Sequence, residues 1–488
     1  MTASPGESST HNHLVLLKGF ATWERIEGLI WIKHSLLAVA AMLGGIVAWR
    51  ILAGPFSIAG IQVHAPLNPE GVFGLLVVGL LAWKTRPGDG RSDDPASTFR
   101  AVALLALVGL YPATRVYFVS DDFILVRQAQ TFSAGVFASA GGDGFFRPVG
   151  YVSLAMNAWI AGLNPVIWHT SALVLHAINA FLVAMLCRRL GAPAGGALLA
   201  GSLFALHGTH LEAAVWIAGR FDLLATLFTL GTLLLYGKHL WLALLCGLAA
   251  LWSKESAYVL PFLVAIVARW ERRSWTSAAP YAGLTLAAFL YRWVLLGGIG
   301  GYREASGEAA FYSLKAATTA KAVFVRLWTS LFFPINWSED PSLLVGVLAL
   351  LYIAALLWLA WRGGTTGVRW SLGGLMVSIL PPLHLLGGAA DLSGGRLLYL
   401  PSVWFCLMLG FAVAGLAKRE LVAVSAAVLL FHFGVVQHDL RFWSQTSEQV
   451  RATCAGAEPP AAAPAMIDGV PALANGLEDC VAITHSLK

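Results

Sequence analysis

Charged residues are scarce in this sequence of 488 residues. Asp, Glu, Lys and Arg make up 12% of the chain, whereas hydrophobic residues make up 58%. Soluble globular domains carry about a quarter of charged residues, so this composition excludes a protein whose main solvent is water. Apolar runs of roughly 20 residues, the length that crosses a hydrocarbon core, recur along the chain. We therefore predict an all-α, polytopic transmembrane helical bundle.

A basic surface of the kind that binds nucleic acid is also missing. The net charge of +6 comes from small Lys and Arg clusters that flank the apolar runs, and not from a continuous basic face with interleaved aromatic residues. Nucleic acid is therefore not an expected partner, whereas membrane lipid is. The clusters also report topology, because Lys and Arg in short loops favour the cytoplasmic side.

Cysteine is rare, with five residues in the whole chain. Cys187, Cys246 and Cys406 lie in or beside apolar runs, where a thiol packs as a small apolar group, so we expect them to be structural. Cys454 and Cys480 both fall in the tail that we expect to be external. A disulfide between these two is an open alternative.

The apolar runs predict about thirteen membrane spans. Three of them, 70–85, 240–253 and 257–270, are short for a span, so each could instead be re-entrant. The predicted spans are 35–54, 70–85, 99–118, 166–187, 193–208, 222–238, 240–253, 257–270, 279–297, 342–361, 371–388, 399–417 and 420–437. This arrangement puts the Lys and Arg clusters on one side, with a cytoplasmic N-terminus and an external, periplasmic C-terminus.

The chain divides into three segments on this pattern. Residues 1–98 are an N-terminal cytoplasmic segment with two additional spans, the first of which lacks a small-residue cleavage site and should stay as an anchor. Residues 99–438 are the main helical module, with long external loops at 119–165 and 298–341. The first loop is unusually polar, and we expect a short helix on each side of its Gly141-Gly142-Asp143-Gly144 hinge. Residues 439–488 are an Ala/Pro-rich periplasmic tail, which we expect to be poorly ordered.

The adjacent acidic residues Asp121 and Asp122 are the first functional candidates. Carboxylates are costly near a bilayer, and one placed just beyond a span could accept a proton from a hydroxyl group. The same pair could instead mark a helix end at the membrane interface. Polar residues elsewhere in the chain favour the functional interpretation.

A second polar block lies between two predicted spans. If this linker is helical, Glu212, Trp216 and Arg220 share one stripe, and Glu212 could simply pair with Arg220 at the interface. His207 and His210 share a helical face from which Glu212 points away, so a three-ligand metal site is awkward there. No cofactor is certain, and a divalent metal stays an open alternative.

Two further polar groups return to the same side of the membrane. Lys254 and Glu255 lie in a very short turn between spans, either as an ion pair or as part of a polar cavity, and Arg396 and Tyr399 follow much later. Acids, cations and a phenol at one membrane face are what an enzyme with a phosphate-bearing lipid donor requires. Arg or Lys would hold the phosphate.

The order of these motifs resembles the GT-C membrane glycosyltransferases, and it is most similar to the transmembrane O-mannosyltransferases that carry tetratricopeptide repeats. The resemblance covers roughly residues 112–452. In chain order its motifs are Asp121-Asp122, Phe146-Arg147-Pro148, Asn164-Pro165 with His169 and His176, His207 through Glu212, Gly219-Arg220 with Asp222, Lys254-Glu255, Pro334 through Ser338, Arg396 through Ser402, and Arg441 with Trp443. Two additional N-terminal spans and a short tail in place of the repeats depart from that family, so the acceptor stays open.

The resemblance implies a membrane glycosyltransferase of the bacterial inner (plasma) membrane. It would transfer mannose or another hexose from a polyprenyl-phosphate donor to a hydroxyl of a protein, lipid or glycan acceptor on the periplasmic face, with inversion. Asp121 or Asp122 would act as general base, and Arg220, Lys254 and Arg396 would hold the donor phosphate. The residues expected to orient sugar or acceptor are Arg147, His210, Glu212, Asp222, Glu255 and Tyr399. Arg147 could also pin the external loop over the site.

Two other functions stay open at this point. A flippase or transporter of lipid-linked sugars would bury ionisable residues near span midpoints or pair broken helices across a repeat, whereas these residues cluster at the external ends of spans. The second alternative is a glycan polymerase or ligase that uses polyprenyl-diphosphate oligosaccharides. The residue pattern does not distinguish it from a glycosyltransferase with a polyprenyl-phosphate donor.

The span assignment predicts the side of the membrane on which each loop lies. Reporter fusions at Arg188, Arg272 and Lys418 should report the cytoplasm, because these residues belong to the basic clusters. Fusions after Asp122, Glu255 and Ser402 should report the periplasm. A result that separated Asp122 from Glu255 would rule out a common site for the two residues.

Overall fold

The structure of the protein is a computed structural model with two compact units, Met1–Arg91 and Ser92–Lys488. It describes residues 56–58, 61–63, 95–139, 144–301, 316–337, 342–363, 365–386, 392–456, 465–467, 469–473 and 477–487. In the first unit these residues form an antiparallel hairpin of β1 (Phe56–Ile58) and β2 (Ile61–Val63). The predicted spans 35–54 and 70–85 lie outside the described residues.

The second unit is built almost entirely of helices, so the all-α prediction is confirmed. The helices are α1 (Pro95–Leu110), α2 (Asp122–Gln130), α3 (Pro148–Ala161), α4 (Pro165–Arg189), α5 (Ala194–Leu206), α6 (Leu211–Val215), α7 (Arg220–Leu235), α8 (Leu240–Leu251), α9 (Leu260–Trp270), α10 (Ala279–Leu296), α11 (Ala316–Lys321), α12 (Leu327–Leu331), α13 (Leu343–Gly363), α14 (Thr366–Ser378), α15 (Leu383–Leu386), α16 (Tyr399–Ala412), α17 (Lys418–Cys454) and α18 (Leu477–Ser486). A π-helical turn, Ala322–Arg326, joins α11 to α12, and the strand pair β3 (Met466–Ile467) and β4 (Val470–Pro471) precedes α18.

Within the described ranges, seven helical segments are long and apolar enough to cross a membrane. They are Pro95–Arg115, Pro165–Arg189, Ile217–Leu235, Trp275–Leu296, Leu343–Gly363, Gly394–Gly415 and Lys418–Cys454. The helices α5 and α8 are apolar but shorter, and α9 and α14 have only 11 and 13 residues. Two of these short helices, α8 and α9, coincide with the predicted runs 240–253 and 257–270 that were already short for a span, whereas α5 and α14 are shorter than the spans 193–208 and 371–388 that the sequence predicted.

The helix α16 lies at the centre of the second unit. All fourteen of its residues are buried, as expected of a helix that is apolar around its whole circumference. It packs on α5, α7 and α14. Glycines permit the closest approaches: a Cβ on Gly196 of α5 would lie 2.2 Å from the carbonyl oxygen of Gly410. Close backbone contact through small residues is how helices associate in lipid.

The helix α17 extends well beyond the predicted span 420–437. At 37 residues it is roughly 55 Å long, which exceeds the thickness of a hydrocarbon core. Its second half keeps a buried side, including Asp439, Trp443 and Cys454. The tail after it was expected to be poorly ordered, but its described part forms β3, β4 and α18, which pack against α2 and α17. That expectation is therefore wrong for residues 465–467, 469–473 and 477–487.

The long loop 119–165 contains two short helices, α2 and α3, as its polar pattern predicted. The helix α3 begins at Pro148, which suits a first turn because that position needs no backbone N–H. Asn164 caps α4 by accepting a hydrogen bond from the N–H of Val166 at 3.0 Å. These local signals fix where the loop ends and the next span begins.

Gly196→Ala should destabilise the protein strongly. The added methyl group meets the backbone of Gly410, which cannot move aside as a flexible side chain can. We expect a loss of about 3 kcal/mol, seen as a fall in Tm of the detergent-solubilised protein by about 5 °C or more. Gly283→Ala in α10 is the matched control, since nothing lies within 4 Å of its added Cβ, and its Tm should not fall. Equal Tm values for the two variants would contradict the close packing.

Candidate functional site

A cavity of about 540 Å³ opens between the loop before α3, the turn before α9 and the helix α10. Much of its wall is apolar, with Phe145, Phe289, Ile299 and Leu380 among the lining residues. The ionisable residues that line it are Arg147, Asp222, Lys254, Glu255, Tyr258, Arg292 and His384. Three cations and two carboxylates thus share one largely apolar chamber.

Glu255 holds two arginines at this cavity. Its Oε2 accepts hydrogen bonds from Nη2 and Nε of Arg147 at 2.6 and 3.1 Å, and its Oε1 accepts one from Nη2 of Arg292 at 3.3 Å. Burial acts to raise the pKa of this carboxyl, but the two guanidiniums outweigh it and hold the pKa of Glu255 below its usual range. The sequence suggested that Arg147 pins the loop over the site, and this ion pair joins that loop to the turn before α9.

Lys254 does not pair with its neighbour Glu255. Its Nζ lies 2.5 Å from Oδ2 of Asp222, which is in the first turn of α7. The sequence left open an ion pair or a polar cavity for Lys254 and Glu255, and the structure gives them separate partners on one cavity wall. Because each carboxylate already has its cation, an incoming anion must compete for Lys254 or the arginines.

Glu212 pairs with Arg396 and not with Arg220. Its Oε2 accepts the backbone N–H of Arg396 at 2.8 Å, and the Arg396 guanidinium stacks 4.3 Å from the centre of the Trp216 ring. Burial raises the pKa of Glu212 to about 7, with Arg396 acting in the opposite direction. Leu397, which follows Arg396 in the chain, lines the cavity.

The predicted continuous stripe of Glu212, Trp216 and Arg220 is wrong. The helix α6 ends at Val215, Trp216 takes an extended backbone with ψ of 128°, and α7 starts afresh at Arg220. Gly219 makes this break possible, because a Cβ there would lie 2.3 Å from the carbonyl oxygen of Ala213. The chain therefore turns back on itself where the pattern suggested one helix.

Arg220 lies away from the cavity wall. It is only 2% exposed, and its Nη2 donates to Oγ of Ser171 at 2.6 Å and to the carbonyl oxygen of Trp168 at 3.3 Å. The sequence assigned Arg220 and Arg396 to the donor phosphate along with Lys254. Of these three residues, only Lys254 lines the 540 Å³ cavity.

The two adjacent aspartates have different surroundings. Asp122 is fully buried and accepts hydrogen bonds from the N–H groups of Val119 at 3.1 Å and Ala218 at 3.3 Å. Burial raises the pKa of Asp122 well above its usual range. Asp121 is half-buried and immediately precedes α2. Asp122 thus ties the loop to the turn before α7, while Asp121 keeps access to solvent.

His210 and Tyr399 belong to a buried polar network around α16. Nε2 of His210 lies 2.6 Å from Oγ of Ser402, and the Tyr399 hydroxyl lies 2.8 Å from Nδ1 of His176 and 3.2 Å from Nδ2 of Asn179. Neither His210 nor Tyr399 lines the cavity. Their side chains hold α4, the linker before α6 and α16 together, in contrast to the expected contact with sugar or acceptor.

Part of the sequence is similar to known proteins. No family model matches the sequence. The chain is 34% identical over 126 residues to protein O-mannosyl-transferase Tmtc1 of Drosophila melanogaster, and 33% identical over 135 residues to both Xenopus laevis tmtc2 and human TMTC2. The chain is similar to the protein O-mannosyl-transferases. The resemblance expected from the motif order is thereby confirmed.

The similarity to the O-mannosyl-transferases is local. It covers 24 to 25% of this chain and only 15 to 16% of the length of those three relatives. The relatives are therefore much longer than the matched segment.

Motif reasoning missed Arg292 as a cavity residue. It is a single cation in the otherwise apolar run of α10, and an intramembrane charge of this kind is a functional signal in itself.

Among the described residues, no three His, Cys, Asp or Glu side chains come close enough together to hold a metal ion. The ionisable groups at the cavity instead pair with one another.

The raised pKa of Glu212 predicts a pH dependence of stability. The folded state binds this proton more tightly than the unfolded state, whose carboxyl titrates near 4.5, so the stabilisation present at pH 4 is lost as the pH rises to about 7. Glu212→Gln cannot lose that proton. Thermal unfolding at pH 5 and pH 8 should show a smaller fall in Tm for Glu212→Gln than for wild type. Equal falls in Tm would contradict the assignment.

Proposed function

We propose that the chain is a membrane glycosyltransferase that transfers mannose or another hexose from a polyprenyl-phosphate donor to a protein hydroxyl. The similarity to protein O-mannosyl-transferases motivates the sugar and the acceptor. The donor class comes from the motif resemblance and from the chemistry of the cavity. We further propose that the site faces the periplasm of a bacterial inner membrane.

The cavity that contains Arg147, Lys254 and Arg292 carries this proposal. A polyprenyl phosphate needs an apolar wall for its isoprenoid chain and cations for its headgroup. This chamber offers both, with Phe289 and Leu380 on the apolar side. Arg292 and Lys254 replace the earlier assignment of Arg220 and Arg396 as the cations that hold the phosphate.

The donor phosphate would compete with carboxylates for these cations. Glu255 can keep Arg147 as its partner while Arg292 turns to the phosphate, because Arg147 binds Oε2 through two donors at 2.6 and 3.1 Å, whereas Arg292 makes one bond to Oε1 at 3.3 Å. Lys254 has Asp222 as its alternative partner. Three cations against two carboxylates leave one positive charge, which an anionic headgroup would neutralise.

Asp121 is the better candidate for the general base. Asp122 is committed to two backbone N–H groups and is fully buried, whereas Asp121 retains partial exposure. Asp122 accepts a hydrogen bond from the N–H of Ala218, and Asp222, four residues later in the chain, lines the cavity. Asp122 would then act as a positioning residue for Asp121.

The transfer would take place as one displacement. The acceptor oxygen forms a bond to the anomeric carbon while its proton passes to the Asp121 carboxylate. The bond from that carbon to the phosphate oxygen breaks, and polyprenyl phosphate leaves with the electron pair. Arg292 and Lys254 would stabilise the charge that grows on the phosphate. Attack opposite the leaving group inverts the anomeric centre.

Two substitutions separate the proposed roles. Asp121→Asn should lower kcat roughly 100-fold or more, because the amide cannot take the proton. Arg292→Gln should raise KM for the donor roughly 10-fold and leave the fold intact, since Arg147 still pairs with Glu255. Both are measured with purified protein, polyprenyl-phosphate mannose and a hydroxyl-bearing peptide.

Matched variants serve as controls. Asp122→Asn should lower Tm, because its amide NH₂ would face a backbone donor, and Arg115→Gln removes an exposed cation outside the cavity. Wild-type transfer by Asp121→Asn would remove the proposed base. No transfer by the wild-type protein itself would overturn the proposed activity and favour a transporter.

A further inference from the structure

The described C-terminal residues 465–467, 469–473 and 477–487, here called the clasp, fold back onto the start of the loop 119–165. A disulfide between Cys454 and Cys480 joins the end of α17 to α18. Their Cα atoms are 5.6 Å apart, an ordinary separation for such a bond. The disulfide left open by the sequence thus closes a loop of the tail.

Three polar contacts join the clasp to residues 117–127, here called the acidic loop because they contain Asp121 and Asp122. The backbone N–H of Ser120 donates to the carbonyl oxygen of Ala472 at 2.6 Å, one residue before Asp121. The Tyr117 hydroxyl lies 2.7 Å from Oγ1 of Thr484, and Arg127 pairs with Asp479. These contacts cover both flanks of the aspartates.

An apolar interface supports these bonds. Buried residues of the clasp share one core with the start of the external loop and with the end of α17. The members from the clasp are Val470, Ala472, Leu473, Cys480 and Ile483, and those from the loop and α2 include Tyr117, Phe118, Val119, Phe123 and Val126. The clasp is therefore part of the fold of the loop itself.

Ser120 shows why the loop needs such support. Its φ is +50°, in the left-handed region that residues other than glycine adopt at a cost. A conformation of this kind persists only where its surroundings determine it. The bond from Ser120 to Ala472 does so from the clasp, and Asp122 does so from the other side through Ala218.

We propose that the clasp is a positioning element that holds the acidic loop, and with it Asp121, in its working conformation. This inference rests on the proposed function. The disulfide acts as a permanent anchor of the clasp and not as a redox switch, because Cys454 and Cys480 are both fully buried. The residues of the clasp would act through the loop, without touching the donor or the acceptor.

A variant without the disulfide tests the anchor. Cys454→Ser/Cys480→Ser should exchange the amide hydrogens of residues 116–122 faster than wild type, measured by hydrogen–deuterium exchange. Its kcat per folded molecule should fall roughly 10-fold, with KM for polyprenyl-phosphate mannose unchanged. Cys246→Ser, which removes a free cysteine far along the chain from the clasp, is the matched control and should match wild type.

A second pair of variants tests the hydroxyl contact without touching the disulfide. Thr484→Val removes the partner of the Tyr117 hydroxyl and should reproduce part of the loss, whereas Thr484→Ser keeps the hydroxyl and should restore kcat. Thr453→Val is the control, because the Thr453 hydroxyl donates to the carbonyl oxygen of Gln449 within its own helix. If the clasp merely added stability, Thr484→Val and Thr484→Ser would have the same kcat per folded molecule.

The two proposals fail in different ways. Unchanged exchange at 116–122 in the cysteine variant would overturn the clasp proposal whatever the activity. Faster exchange with unchanged kcat would also overturn it, since the loop would then be looser without consequence. An inactive wild-type protein would count against the proposed glycosyl transfer, and the exchange measurement would still decide whether the clasp holds the loop.

Discussion

The pairing of Glu255 with two arginines is the interaction on which the cavity depends. It joins three parts of the chain: Arg147 in the loop before α3, Glu255 in the turn before α9, and Arg292 in α10. Breaking a buried pair by removing one partner typically costs about 3–5 kcal/mol, because the other charge stays uncompensated. Glu255 keeps 29% of its side chain exposed, so its loss should cost toward the lower end. The cavity therefore has its shape because its charges must find partners.

The same requirement explains the rest of the polar face. Lys254 forms an ion pair with Asp222, and Arg396 pairs with Glu212 and stacks on the Trp216 ring. Arg220 donates hydrogen bonds to hydroxyl and carbonyl oxygens. In an environment of low dielectric constant, a cation without a partner is expensive. A phosphate donor that enters such a site replaces a carboxylate as the partner of a cation. Its affinity therefore reflects only the difference in free energy between the new contact and the one that it replaces. This arrangement favours binding with exchange of partners over binding at a bare positive pocket.

The acidic loop is held from two directions. Asp122 fastens it to the turn before α7, and the clasp fastens it from the C-terminal end of the chain through Ser120 and Tyr117. Adjacent residues thereby differ in role, with one carboxylate buried in backbone hydrogen bonds and the other half-buried. A left-handed serine between Val119 and Asp121 is acceptable because both sides of the loop are fixed.

The sequence by itself determined the helical membrane character, the two short helices of the external loop and the similarity to the O-mannosyl-transferases. Hydropathy, proline positions and motif order are local properties, and they can be read along one chain. Tertiary structure alone decided which charges meet: Glu255 with Arg147 across 108 positions, Glu212 with Arg396 in place of Arg220, and Arg292 at the cavity. It also decided that the tail folds onto the acidic loop. Such pairings depend on how distant helices pack, and a single sequence carries no direct record of that.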